Sequence, residues 1–88
     1  MMTLETFRAT KREIAIGDSA MPQDVMDAIE FEVDDFESAF LYWGDCWIMK
    51  RKNGMFWFML GRDEFESADI SELESELFSW AESEGYFE

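Results

Sequence analysis

The chain has 88 residues, a net charge of −14, no histidine and one cysteine. That length excludes two independent cores, while 48% apolar and 17% aromatic residues exclude an unfolded acidic tail, since they supply enough surface for a compact core. No stretch approaches the roughly 18 apolar residues of a membrane span. The N-terminus lacks the apolar stretch of a signal peptide, and the single Cys46 leaves no internal disulfide, so one soluble cytoplasmic domain over residues 1–88 is expected.

In chain order, Phe7 to Ile16 fits either a helix or a strand, and the ending Ile14-Ala15-Ile16-Gly17 favours a strand. Pro22 suits the first turn of a short helix that places Val25, Met26 and Ile29 on one side. A strand over residues 36–43 leads through Gly44-Asp45, a candidate two-residue turn, into the strongest local signal. That signal is Asn53-Gly54, which suits a type I′ turn between strands 46–52 and 55–60. A two-residue turn pairs Lys52 with Met55, Lys50 with Trp57 and Met49 with Phe58. Trp47, Met49, Phe56, Phe58 and Leu60 then form the core face, joined by Phe40 and Tyr42. Lys50, Lys52, Trp57 and Met59 face away, with Lys50 over Trp57 as a cation–π contact and Glu37 opposite Lys52.

Phe65 reads as lying in an acidic loop. Asp69-Ile70-Ser71-Glu72 has the form of a capping box, after which Ile70, Leu73, Leu77, Trp80 and Ala81 recur at helical spacing up to Gly85. The expected fold is therefore α+β, an antiparallel sheet of three to four strands with a C-terminal helix and one short helix packed on it. Trp47, Phe56, Phe58, Leu73, Leu77 and Trp80 are expected in its core, and Cys46 as a small buried hydrophobe.

The charge is unevenly placed. Residues 18–45 contain nine acids and no base, residues 63–88 ten acids and no base, whereas residues 46–62 carry four bases and no acid. Without histidine the commonest general base and metal ligand is missing. No Gly-rich phosphate loop and no activated nucleophile appear either, so no enzyme activity, metal or cofactor is expected. Along the C-terminal helix, Glu72 and Glu76 are like charges four residues apart, which weakens a helix by a few tenths of a kcal/mol, about 0.2–0.5. A purely solvating face would interleave both signs. The acids of the two blocks, Asp34, Asp35 and Glu37 in the first and Asp63, Glu64, Glu66, Asp69, Glu72, Glu74 and Glu76 in the second, are therefore the expected partner-binding set. Phe65 and Phe78 are its apolar anchors.

In size, charge and lack of catalytic motifs the chain resembles the small acidic inhibitors of phages and mobile elements, anti-CRISPR proteins and other DNA mimics among them. The resemblance rests on no shared motif. It implies a protein that blocks the basic nucleic-acid-binding surface of a Cas effector subunit; the like-signed charge of the chain is expected to keep it off nucleic acid itself, and a monomer is favoured with the oligomeric state left open. Two other readings fit the same features: an immunity or antitoxin protein that neutralises a basic nuclease, and a non-inhibitory acidic adaptor whose contact surface is the hairpin.

Overall fold

The computed structural model describes residues 1–87, in which a five-stranded antiparallel sheet carries helices on both faces. A short helix, α1 (Leu4–Ala9), leads into the edge strand β1 (Arg12–Ala15). Then come α2 (Gln23–Ala28), a single 3-10 turn (Val33–Asp35) and β2 (Phe36–Leu41). β3 (Trp47–Arg51), β4 (Phe56–Leu60), β5 (Asp63–Ser67) and α3 (Ile70–Ser83) complete the order. The strands lie side by side in chain order. The α+β class, the antiparallel sheet and the C-terminal helix are as expected. The sheet has five strands, and both additional ones lie where the sequence signal is weak.

Residues 4–16 divide between a helix and a strand. Thr3 caps the helix, its hydroxyl accepting from the Thr6 N–H at 3.1 Å, and β1 starts only after Lys11. Residues 63–67 form a strand where an acidic loop was expected. Its alternation is legible afterwards: Phe65 points inward and stacks on Phe58 with ring centroids 4.8 Å apart, while its neighbours Glu64 and Glu66 are exposed. Acidic side chains suit an edge strand, since they discourage pairing with another sheet.

Both tight turns are one residue longer than expected. Arg51 N–H donates to Met55 O at 2.8 Å and Gly54 N–H to Arg51 O at 3.0 Å, enclosing the three-residue loop Lys52-Asn53-Gly54. Only Gly54 takes a positive φ, 91°; Asn53 does not, and its side chain accepts from Met55 N–H at 2.9 Å. This is a type I turn closed by a left-handed glycine, the usual three-residue hairpin. Likewise Tyr42 N–H donates to Cys46 O at 2.8 Å across Trp43-Gly44-Asp45, where Gly44 and Asp45 are both left-handed.

Each added loop residue slips β3 by one position against a neighbour, and a one-residue slip turns a strand over. Phe40, Tyr42, Phe56, Phe58 and Leu60 stay together as expected, and Ile48 joins them. Met49 pairs with Trp57, and Lys50 with Phe56. Trp47 and Met49 consequently share the opposite face with Trp57. That face is not open to solvent: Trp57 is 2% exposed beneath α2. The Lys50–Trp57 contact is replaced by Arg51, whose guanidinium lies 4.6 Å from the Phe36 ring centroid and 5.5 Å from that of Trp57. A bulge between Phe36 and Ser38 sets Glu37 beside Lys50 at 3.4 Å, not opposite Lys52.

The sheet thus separates two cores. On one side Leu73, Leu77 and Ala81 of α3 and Phe7 of α1 pack on Tyr42, Cys46, Ile48 and Phe58. On the other, Val25 and Ile29 cover Phe36, Ala39, Met49 and Trp57. A helix of six residues is not stable alone; burying Val25 and Ile29 at about 1.5–3 kcal/mol each is what holds α2 in place. Of the expected core, Phe58, Leu73 and Leu77 are buried, while Trp47, Phe56 and Trp80 pack at its margin. No helix among the described residues is long and apolar enough to cross a membrane.

Candidate functional site

The acids of the expected binding set divide into a buried one, an engaged group, a converging pair, and Asp34 and Asp35, which belong to none of these. Glu74 is not on the surface. It is 2% exposed, accepts from the Tyr42 hydroxyl at 2.7 Å and pairs with Arg8 at 3.2 Å and Lys11 at 3.3 Å. It is therefore withdrawn from the surface, its carboxylate buried against three donors of the chain itself. Burial, and then the hydrogen bond to Glu74, holds the Tyr42 hydroxyl above its ordinary pKa. Phe65 and Phe78 are also claimed by the fold: Phe65 by Phe58, and Phe78 by Phe7 and Phe87 at centroid distances of 5.6 and 5.0 Å.

A second group is exposed but engaged, most of it toward the end of the sheet that carries the β3–β4 turn. Glu37 pairs with Lys50, and Glu66 with Arg51 at 2.8 Å. Glu64 accepts from the Trp57 indole N–H at 3.1 Å. Asp69 caps α3, accepting from the backbone N–H of Ser71 at 3.0 Å and its hydroxyl at 2.7 Å, and these bonds hold its carboxyl below the usual range. The capping box closes through a relay: Asp69 N–H donates to the Ser67 hydroxyl, which donates to Glu72. Asp34 and Asp35 are exposed in the 3-10 turn on the α2 side, and form no ion pair.

The third group converges. Asp63 and Glu76 meet on the rim of a groove of about 880 Å³ at the opposite end of the sheet. Asp24, Asp45 and Glu84 complete that rim, and no basic residue among the described ones lines it. Its walls are apolar: Trp47 and Met59 from the α2 side, Phe58, Leu60 and Phe65 from the sheet, Leu77 and Trp80 from α3, and Tyr86 beyond it. Cys46 lies at the base, and burial, assisted by the charge of Asp45, pushes its thiol up to about 11, so it is neutral and unreactive at physiological pH.

The groove exists because β3 and β4 separate. Their pairing is confined to Met49 with Trp57 and Lys50 with Phe56. Toward this end β3 stays with β2 as far as Leu41–Trp47, and β4 stays with β5 as far as Leu60–Asp63. The outer ladders continue while the central one stops, and the gap is lined by Cys46, Trp47, Phe58, Met59 and Leu60.

Chemically the groove suits non-covalent binding of something cationic and partly apolar. No cluster of three carboxylate or thiol side chains among the described residues has the spacing to hold a metal ion. Asp24, Asp45, Glu84, Trp47, Trp80 and Tyr86 are among the lining residues absent from the expected set; only the helical spacing of Glu76, Trp80 and Glu84 hinted at a shared face. No protein family, curated protein or solved structure matches this chain.

Proposed function

We propose that this protein is a non-catalytic inhibitor of the anti-CRISPR, DNA-mimic kind, which binds a basic nucleic-acid-binding surface of a Cas effector subunit in the cytoplasm and keeps DNA off it. The supporting observation is that the chain's own cations leave its carboxylates unneutralised. Among the described residues only Glu37, Glu66 and Glu74 form ion pairs, and those three engage Arg8, Lys11, Lys50 and Arg51. Every described carboxylate except Glu74 is exposed.

Duplex DNA presents one negative charge per about 1.7 Å of axis and binds basic channels largely by releasing counterions. Carboxylates fixed on a sheet and helices supply part of the same field, and they pair with arginine through two parallel hydrogen bonds. The inhibitor itself repels DNA. Its only requirement is affinity above that of the nucleic acid it displaces.

Affinity capture from the lysate of a CRISPR-bearing bacterium, with this protein as bait, tests the reading. A Cas effector subunit should be the enriched protein by mass spectrometry, and its recovery should fall when the wash salt is raised. Enrichment only of proteins that bind no nucleic acid would contradict it.

A further inference from the structure

We propose that the groove between β3 and β4 is where this protein holds its partner, and that it takes one extended segment in which arginine or lysine side chains flank a large apolar one. The inference rests on the inhibitory reading for the kind of partner. Its own content comes from the backbone, the walls and the rim of the groove.

The backbone offers an incomplete ladder. Arg51 bonds across to Met55, so alternation turns the backbone groups of Met49 and Trp47 toward β4, and those of Trp57 and Met59 toward β3. Met49 and Trp57 pair; Trp47 and Met59, two residues further on, do not. Their N–H and C=O groups face the opening, and such unpaired edges accept an added strand. A segment lying there would project alternate side chains to the two sides of the sheet.

The walls call for apolar substance. Leu60, Phe65, Trp80 and Tyr86 stand around the opening, and its 880 Å³ lies within the roughly 300–1,000 Å³ range of ligand sites. The rim calls for positive charge. Asp45, Asp63, Glu76 and Glu84 are all exposed, and the lining contains no cation. A purely apolar segment would desolvate those carboxylates without pairing them. A purely basic one would leave the aromatic walls wet. A segment that alternates the two satisfies both, and polyanions are excluded by sign.

The probe is a fluorescein-labelled nine-residue peptide of alternating arginine and leucine, blocked at both ends. Its comparison is the same peptide with glycine in place of leucine. Anisotropy titrations should show binding of the leucine peptide, about tenfold weaker to D63N/E76Q/E84Q and within about twofold of wild type for E5Q/E30Q/E32Q. Amide shifts in NMR spectra should centre on Trp47 and Met59. The inference is overturned if the leucine peptide does not bind, if the glycine peptide binds equally well, if both triple variants weaken binding alike, or if the shifts centre elsewhere. Its failure differs from that of the inhibitory reading: a protein that displaces DNA from a Cas effector yet ignores the peptide inhibits through another surface. A protein that binds the peptide in the groove but displaces no DNA has the site without the inhibitory role.

Discussion

Glu74 lies in the middle of α3 with its carboxylate turned inward among Arg8, Lys11 and Tyr42, and this one residue ties α1 to both α3 and the sheet. Arg8 adds bonds to the Ser71 carbonyl and the Ser75 hydroxyl, so the cation is held by three groups of one helix face. Removing one partner of a buried pair costs about 3–5 kcal/mol. Because the side chains of Arg8 and Lys11 are 37% and 33% exposed, water screens part of that loss. Glu74→Ala should therefore cost about 2–3 kcal/mol in a denaturant melt, a large penalty for removing one negative charge from a chain at −14. Stability unchanged or increased would mean that relief of repulsion outweighs the network. Glu74 was legible as inward: it lies four residues after Ile70, three before Leu77 and four before Phe78, on the apolar side of the helix. Counting it with the acids concealed that spacing. Nothing in the sequence near Glu74 indicated Arg8 or Lys11, which arrive through tertiary packing alone.

At the scale of elements, the sheet turns on β3. Asn-Gly correctly marks a hairpin, but the dipeptide is compatible with a two-residue type I′ loop and with a three-residue loop whose last residue is the glycine. Composition does not decide between them. Here the Asn53 side chain bonds to Met55 N–H, and that bond favours the longer loop. The same ambiguity at Trp43-Gly44-Asp45 doubles its effect, since β3 is the strand between the two turns. Two of the three helices were easier to read: α3 has an apolar stripe and an Asp69 cap, and α2 shows Val25 and Ile29 four apart, whereas α1 lies in a segment whose ending favours a strand. The edge strand β5 is hidden by four polar residues around Phe65. The turn type gives a direct prediction. Gly54→Ala places a side chain at a φ of 91° and should cost about 1–2 kcal/mol in stability by thermal or denaturant unfolding. Asn53→Ala forfeits only its side-chain hydrogen bond, about 0.5–1.5 kcal/mol, because its backbone stays in an ordinary conformation. A larger loss at Asn53 than at Gly54 would contradict the three-residue loop.

At the scale of the whole molecule, a chain this acidic remains folded because both faces of its sheet are covered and its inward carboxylate is paired. The uneven distribution of charge was plain in the sequence, since it needs only counting. The groove was not, for it gathers residues from positions 24 to 86 across the end of the sheet, and the parting of β3 from β4 leaves no trace in spacing or composition. The functional reading depends on the surface field being strong enough to compete with DNA. Its most direct measurement is the displacement of a labelled target duplex from a purified Cas effector complex by this protein, repeated at rising salt with D63K/E76K beside wild type. Wild type should release the duplex, should bind none of it alone, and should grip the effector less tightly as salt rises, while the charge-reversed variant should displace little. Displacement that ignores salt and is equal for wild type and variant would contradict charge mimicry, and a duplex left fully bound by wild type at low salt would contradict the inhibitory function.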